Sequence, residues 1–231
     1  MIDKLNQEEI LRYLGYKDSG ISDKVQELLD RCEALALGVI DGKNIYKRFP
    51  IRKTAEGICV EGTALILKGK DIAEHLKNCR EVVLLGATAG LALDRLIRRY
   101  MISEPDMGVV LDSCGIQAVE QIADTAEKEI ESEILKEGQY LTWRFSPGYG
   151  DLPLETQFEL VKVLDLPRKI GVTLTDSCLM IPSKSVTAIL GIFNKDKLSE
   201  DVLDRKDYKE KKCDFCNNKE ECSFRKRGTE C

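Results

Sequence analysis

The spacing of apolar and polar positions changes character several times along the chain. At the N-terminus it is helical. Asn6 followed by Glu9 forms a capping pair for a helix over Glu8 to Leu14, which Gly15 ends. Ser22 is placed to cap a second helix, in which Val25, Leu28, Leu29, Cys32, Leu35 and Ala36 recur at the spacing of one buried face. From Lys43 to Lys68 the pattern shortens. NIYKRFPIR, GICVEG and TALILKG are rich in β-branched and aromatic residues and broken by glycine, which predicts a meander of strands. Asp71 to Cys79 reads as a short helix, and Glu81 to Leu85 as a compact strand.

Helices return in the middle. One covers Leu91 to Tyr100, after Gly86-Ala-Thr-Ala-Gly90. A longer one is predicted from Ile116 to Lys136 on the stripe Ile116, Val119, Ile122, Ala123, Ala126, Ile130 and Ile134. QYLTWRF reads as a strand entering the loop Ser146 to Gly150, and Leu154 to Leu164 as a helix. IGVTL, CLMI and SVTAILGIF read as closing strands. Val186 to Phe193 is apolar on both faces, which predicts a central strand covered on both sides. Helices and strands mix without regular βα alternation, so the expected class is α+β, a mostly antiparallel mixed sheet flanked by helices over residues 1–200. Beyond Asp196 the chain turns polar. Residues 201–231 form a small Cys-rich tail that burial alone cannot fold.

Composition narrows the function classes. The chain has 231 residues, 43% hydrophobic and 32% charged, as expected of a globular protein. Lys plus Arg number 35 against 40 Asp plus Glu, a net charge of −5, which argues against a nucleic-acid partner. The longest apolar run, Ala34 to Ile40, falls far short of the roughly 18–20 residues that span a bilayer, so no membrane partner is expected. The start MIDKLNQEEI lacks an apolar signal core, and a cytoplasmic location is expected.

Cys32, Cys59, Cys79, Cys114 and Cys178 lie singly in apolar segments and read as small buried hydrophobes. Cys213, Cys216, Cys222 and Cys231 crowd the tail. A C-x2-C pair with two further thiolates suits tetrahedral zinc or an iron–sulfur cluster, and the spacing alone does not choose between these and no metal. Lys211, Lys212, Arg225, Lys226 and Arg227 around them favour thiolate. His75 is the only histidine and has no metal-spaced partner. It has no G-x-S-x-G elbow beside it, which excludes a Ser–His–Asp hydrolase of that kind.

Two loops compete as ligand sites. Gly86 and Gly90 follow an apolar strand and precede a helix whose N-terminus can receive an anion, but they make G-x-x-x-G and not a dinucleotide fingerprint. Helix-on-sheet packing explains them equally well. Arg144-Phe-Ser-Pro-Gly-Tyr-Gly150 is richer. A guanidinium at a strand end offers a two-pronged donor to a carboxylate, Pro147 stiffens the chain, and Gly148 and Gly150 let backbone approach a ligand around Tyr149. By spacing alone it is an ordinary turn as readily as a site.

The segment RFSPGYGDLPLETQFELVKVLDL followed by IGVTLTDSCLMIPSKSVTAILGI resembles the activation domain of cobalamin-dependent methionine synthase. The elements that carry the resemblance are Arg144, Gly148 and Tyr149, then Gly171, Leu174, Thr175, Asp176 and Ser177, then Pro182, Ser185 and Val186, within residues 112–193. The resemblance implies S-adenosylmethionine as ligand, with Arg144 on its carboxylate, Ser146 backbone, Gly148 and Tyr149 along the nucleoside and sulfonium, and Glu120 on its ammonium. The helical pattern agrees, because it sets Glu120 on the flank of the apolar stripe, although Glu127 and Glu131 share that flank as solvated glutamates would. It further implies reductive reactivation of a corrinoid methyltransferase, with cobalamin carried by the partner's corrinoid domain and a low-potential donor such as flavodoxin; from the chain length a stand-alone version is expected. The D-x-H-x-x-G motif of a cobalamin-holding chain is absent. The chain departs from the family in its tail and at Gly191-Ile-Phe-Asn-Lys, where Phe193 stands near an expected Tyr; a further ligand acid of the N-terminal arm is not placed. The alternatives are a conventional S-adenosylmethionine or nucleotide enzyme centred on Gly86 to Gly90, and a metal-tailed interaction module.

Overall fold

A computed structural model describes residues 2–16 and 20–194. It contains α1 (Gln7–Tyr13), α2 (Asp23–Leu37), β1 (Lys43–Thr54), β2 (Gly57–Val60), β3 (Ile66–Leu67), α3 (Lys70–His75), β4 (Glu81–Thr88), α4 (Leu91–Ser103) and α5 (Pro105–Glu133). These are followed by β5 (Gln139–Leu141), α6 (Thr156–Leu164), α7 (Leu166–Lys169), β6 (Thr173–Leu174), β7 (Met180–Ile181) and β8 (Ser185–Asn194). The fold is α+β. One sheet of six strands has the order β3-β2-β1-β4-β8-β5, and β6 and β7 form a separate pair. The pairings β1–β2, β2–β3 and β5–β8 are antiparallel.

The chain divides into two compact units. Among the described residues, the first comprises 2–46, Leu85–Glu129 and Leu164–Thr187, and the second Lys47–Leu84, Ile130–Val163 and 188–194. In the first unit Asn6 caps α1 as expected, its side chain accepting from the N–H groups of Glu8 and Glu9. Helix α2 starts after Ser22, although that side chain makes no capping bond. Helix α5 begins at Pro105, well before the predicted Ile116. Proline suits the first turn, where an N–H has no partner in any case. Two glycines lie in this early part. Gly108 lies against the Met101 backbone, 2.7 Å from where a Cβ would stand, and Gly115 lies against the Lys184 side chain. Close packing requires the first, the second allows the Lys184 side chain to lie close, and neither breaks the helix. The buried stripe therefore extends back through Met107, Leu111 and Cys114 to join Ala118, Ile122, Ala126 and Ile130.

In the second unit the strands β1, β2 and β3 form the expected meander. Strand β8 is buried from Thr187 to Phe193 and lies between β4 and β5, as its two apolar faces demanded. Gly191 is its close-approach point: a Cβ there would stand 2.7 Å from Leu76 Cδ2 and would also meet Cys79 Sγ. IGVTL and CLMI do not close the main sheet. Their two-residue strands pair only with each other, Thr173 with Ile181 and Leu174 with Met180. No helix among the described residues is long and apolar enough to cross a membrane.

Candidate functional site

The loop that leaves β5 is pinned before it turns. Phe145 exchanges both backbone hydrogen bonds with Ile189 of β8, at 3.0 and 2.8 Å. The next four residues form a tight turn, in which Tyr149 N–H donates to the Ser146 carbonyl at 3.0 Å. Pro147 occupies its second position and Gly148 its third, with φ +88°, the residue types a type II turn requires. Gly148 N–H donates to the Leu152 carbonyl at 2.9 Å, and Leu152 N–H returns to Tyr149 at 3.1 Å. Pro147 is buried, whereas Gly148 and Gly150 are exposed and Tyr149 is 59% exposed. Arg144 and Ser146 are half-buried beside the buried Phe145. The Phe145 ring meets Tyr149 edge-on, with centroids 6.2 Å apart. This is a stiff turn that raises one aromatic ring into solvent.

Beneath it sits His75. Its Nε2 is 2.8 Å from Thr142 Oγ1, and its ring packs on Trp143 and Phe145 at centroid distances of 4.7 and 5.1 Å. Burial pushes its pKa down to about 4, partly opposed by a hydrogen bond to the Trp143 backbone, so the imidazole is neutral at physiological pH. Asp151 closes the loop. Its two carboxylate oxygens accept from Lys70 N–H at 2.6 Å and Asp71 N–H at 3.0 Å, and these bonds hold its pKa below the ordinary value. The sequence marked His75 only as a lone histidine without metal partners, and gave no sign of Asp151. The helix Asp151 caps lies some eighty positions earlier in the chain, where no local spacing can reveal it.

Glu120 belongs to the first unit, on α5, and is half-buried, as its flank position predicted. Burial first, then the charge of Glu120, raises the pKa of Tyr13 on α1. Its flank neighbour Glu127 is 6% exposed, contrary to the solvated reading. Glu33 is also buried and takes Leu5 N–H at 2.8 Å and Gln7 Nε2 at 2.6 Å. Phe193 is 8% exposed and stacks on Tyr140, so it is committed to packing. The tail cysteines Cys213, Cys216, Cys222 and Cys231 lie outside the described residues.

The competing loop is occupied by the protein itself. A Cβ on Gly86 would stand 2.7 Å from Leu166 Cδ2, and Gly90, at φ +92°, lies against the Asp41 backbone. In the first turn of α4, Asp94 is 3% exposed and accepts from Ser183 N–H at 2.6 Å and Ser183 Oγ at 2.9 Å. An anion arriving there would meet a buried carboxylate. These glycines pack the fold.

Residues 119–210 match the family model of the activation domain of vitamin B12 dependent methionine synthase. That stretch includes Glu120, Arg144, Ser146, Gly148 and Tyr149. No curated protein matches the chain. Among solved structures, the crystal structure of the MetH reactivation domain bound to AdoHcy superposes with a TM-score of 0.63 at 14% identity, over 84% of this chain and 76% of that one. At that identity the likeness is one of fold. The chain thus carries the sequence pattern of the methionine synthase activation domain over residues 119–210, on the fold of a reactivation domain.

Proposed function

We propose that the protein binds S-adenosylmethionine and serves the reductive methylation that reactivates the corrinoid cofactor of cobalamin-dependent methionine synthase or a related corrinoid methyltransferase. One observation carries this reading. The family match falls on the segment whose Arg144–Tyr149 loop forms a type II turn with an exposed aromatic ring. The residues present suit the ligand: a guanidinium for the methionine carboxylate, glycine backbone that admits close approach, and a tyrosine face for the sulfonium and nucleoside.

When bound, S-adenosylmethionine supplies a methyl cation equivalent to cobalt that a low-potential donor, in the manner of flavodoxin, has reduced by one electron; S-adenosylhomocysteine leaves. The chain needs no nucleophile or general base for this. It is the family resemblance that assigns the ammonium to Glu120; Arg144 holds the carboxylate, and Ser146 backbone with Gly148 and Tyr149 orients the remainder. That is rate enhancement by positioning. The partner is a corrinoid domain that carries cobalamin, for which this chain has no histidine motif. The cysteine spacing 213–231 supports a tetrahedral metal knot, with zinc or an iron–sulfur cluster as its occupant. Metal content of anaerobically purified protein separates colourless zinc from a brown cluster.

Pull-down of a cobalamin-loaded corrinoid domain tests the functional assignment. We expect capture that strengthens with S-adenosylmethionine present. Failure of methionine synthase and related corrinoid domains alike to bind contradicts it.

A further inference from the structure

Helix α3 has six residues, too few to persist alone, and both of its ends are tied to the chain around the ligand loop. At its start the Asp151 carboxylate takes the N–H groups of Lys70 and Asp71, one on each oxygen. Two glycines permit this meeting. A Cβ on Gly69 would run into Asp151, and one on Gly150 into the Asp71 carboxylate. At its end His75 reaches Thr142 through Nε2, and its ring supports Trp143 and Phe145, the residues on either side of Arg144. Thr142 Oγ1 in turn accepts from Gly191 N–H at 2.8 Å, which ties the contact to β8.

We propose that α3 is a brace for the ligand loop, with His75 and Asp151 as positioning residues that fix Arg144 and the 146–149 turn for S-adenosylmethionine. The role rests on the reading of that loop as the ligand's site. The physical reason is angular. A two-pronged guanidinium–carboxylate contact tolerates errors of only about 10–20°, and Arg144 inherits its direction from the two flanking residues that His75 packs against. Asp151 fixes the far end of the same loop. Its side chain is exposed, yet both oxygens are spent on backbone, so its work is to join two segments distant in sequence.

The test uses the intact protein with Asp151→Ala, Asp151→Asn and His75→Phe. Two readouts are taken from the same samples: hydrogen exchange at the amides of Phe145, Gly148, Tyr149 and Leu152, and titration with S-adenosylmethionine. In Asp151→Ala we expect those amides to exchange about tenfold faster while the β1–β2 amides keep their protection, and affinity to fall about tenfold. Asp151→Asn keeps one acceptor and recovers part of both losses. His75→Phe keeps a ring but loses the hydrogen bond, and moves both readouts in the same direction. A protein made merely less stable would instead show a uniform rise in exchange. Should Asp151→Ala not fold, the other two variants decide. Wild-type binding with unaltered loop exchange and affinity in the variants overturns the brace alone. Wild-type protein that takes up no S-adenosylmethionine overturns the ligand reading, and the positioning role with it.

Discussion

The loops Gly86–Gly90 and Ser146–Gly150 look alike in sequence, each with a strand before it, a helix after it and glycines within. The fold puts them to opposite uses. Every residue from Val82 to Gly90 is buried, and Leu166, Ile170 and Asp41 fill the space that side chains at Gly86 and Gly90 would need. In the second loop Gly148 is exposed, and only Leu154 Cδ1, at 3.3 Å, lies near its missing Cβ. There glycine answers a conformational need, φ +88° in a type II turn, and leaves Tyr149 raised into solvent. A glycine pattern reports backbone that cannot carry side chains. Whether the vacant space serves the core or a ligand is decided by what stands around it.

The largest effect expected concerns the support of the second loop. His75 is held neutral, with its folded pKa pushed down from 6.5 to about 4 by burial. Between those values the unfolded chain binds a proton that the folded chain refuses. This contribution is therefore intact above about pH 6.5 and is lost as pH falls towards 4, by about 3 kcal/mol in all. Denaturant melts across that window should show the slope, and His75→Phe should flatten it. An unchanged slope in the variant removes His75 from the account.

Gly86→Val comes next. Its first added carbon stands 2.7 Å from Leu166 Cδ2, and overpacking of this kind destabilises by about 2 kcal/mol. The melting temperature should drop, while folded protein binds S-adenosylmethionine as wild type does. The smallest effect is that of Gly148→Ala, where a methyl group in the left-handed region costs about 1 kcal/mol. Here affinity should fall severalfold with little loss of melting temperature. If folded Gly86→Val cannot bind and Gly148→Ala binds normally, the two loops have exchanged roles.

Elements with strong local signals were legible before the fold. The Asn6 cap, the meander after Lys43 and the two-faced apolar run of β8 each follow from neighbours a few residues apart. So does the Ser146–Tyr149 turn, whose proline and glycine stand in the order its geometry requires. What stayed hidden depends on distant partners. The first turns of α5 carry Gly108 and Gly115, whose close neighbours Met101 and Lys184 lie outside the local apolar stripe. The cap supplied by Asp151, and the burial of Glu33 and Glu127, likewise depend on contacts that no local window contains.

The most direct test of the central claim is calorimetric titration of the intact protein with S-adenosylmethionine, beside Arg144→Ala. Loss of a charge-assisted, two-pronged contact corresponds to about a hundredfold in affinity. Saturable binding by wild type is expected, with a loss of that size in Arg144→Ala protein that still folds. No heat from wild type, or full binding by Arg144→Ala, would contradict that claim.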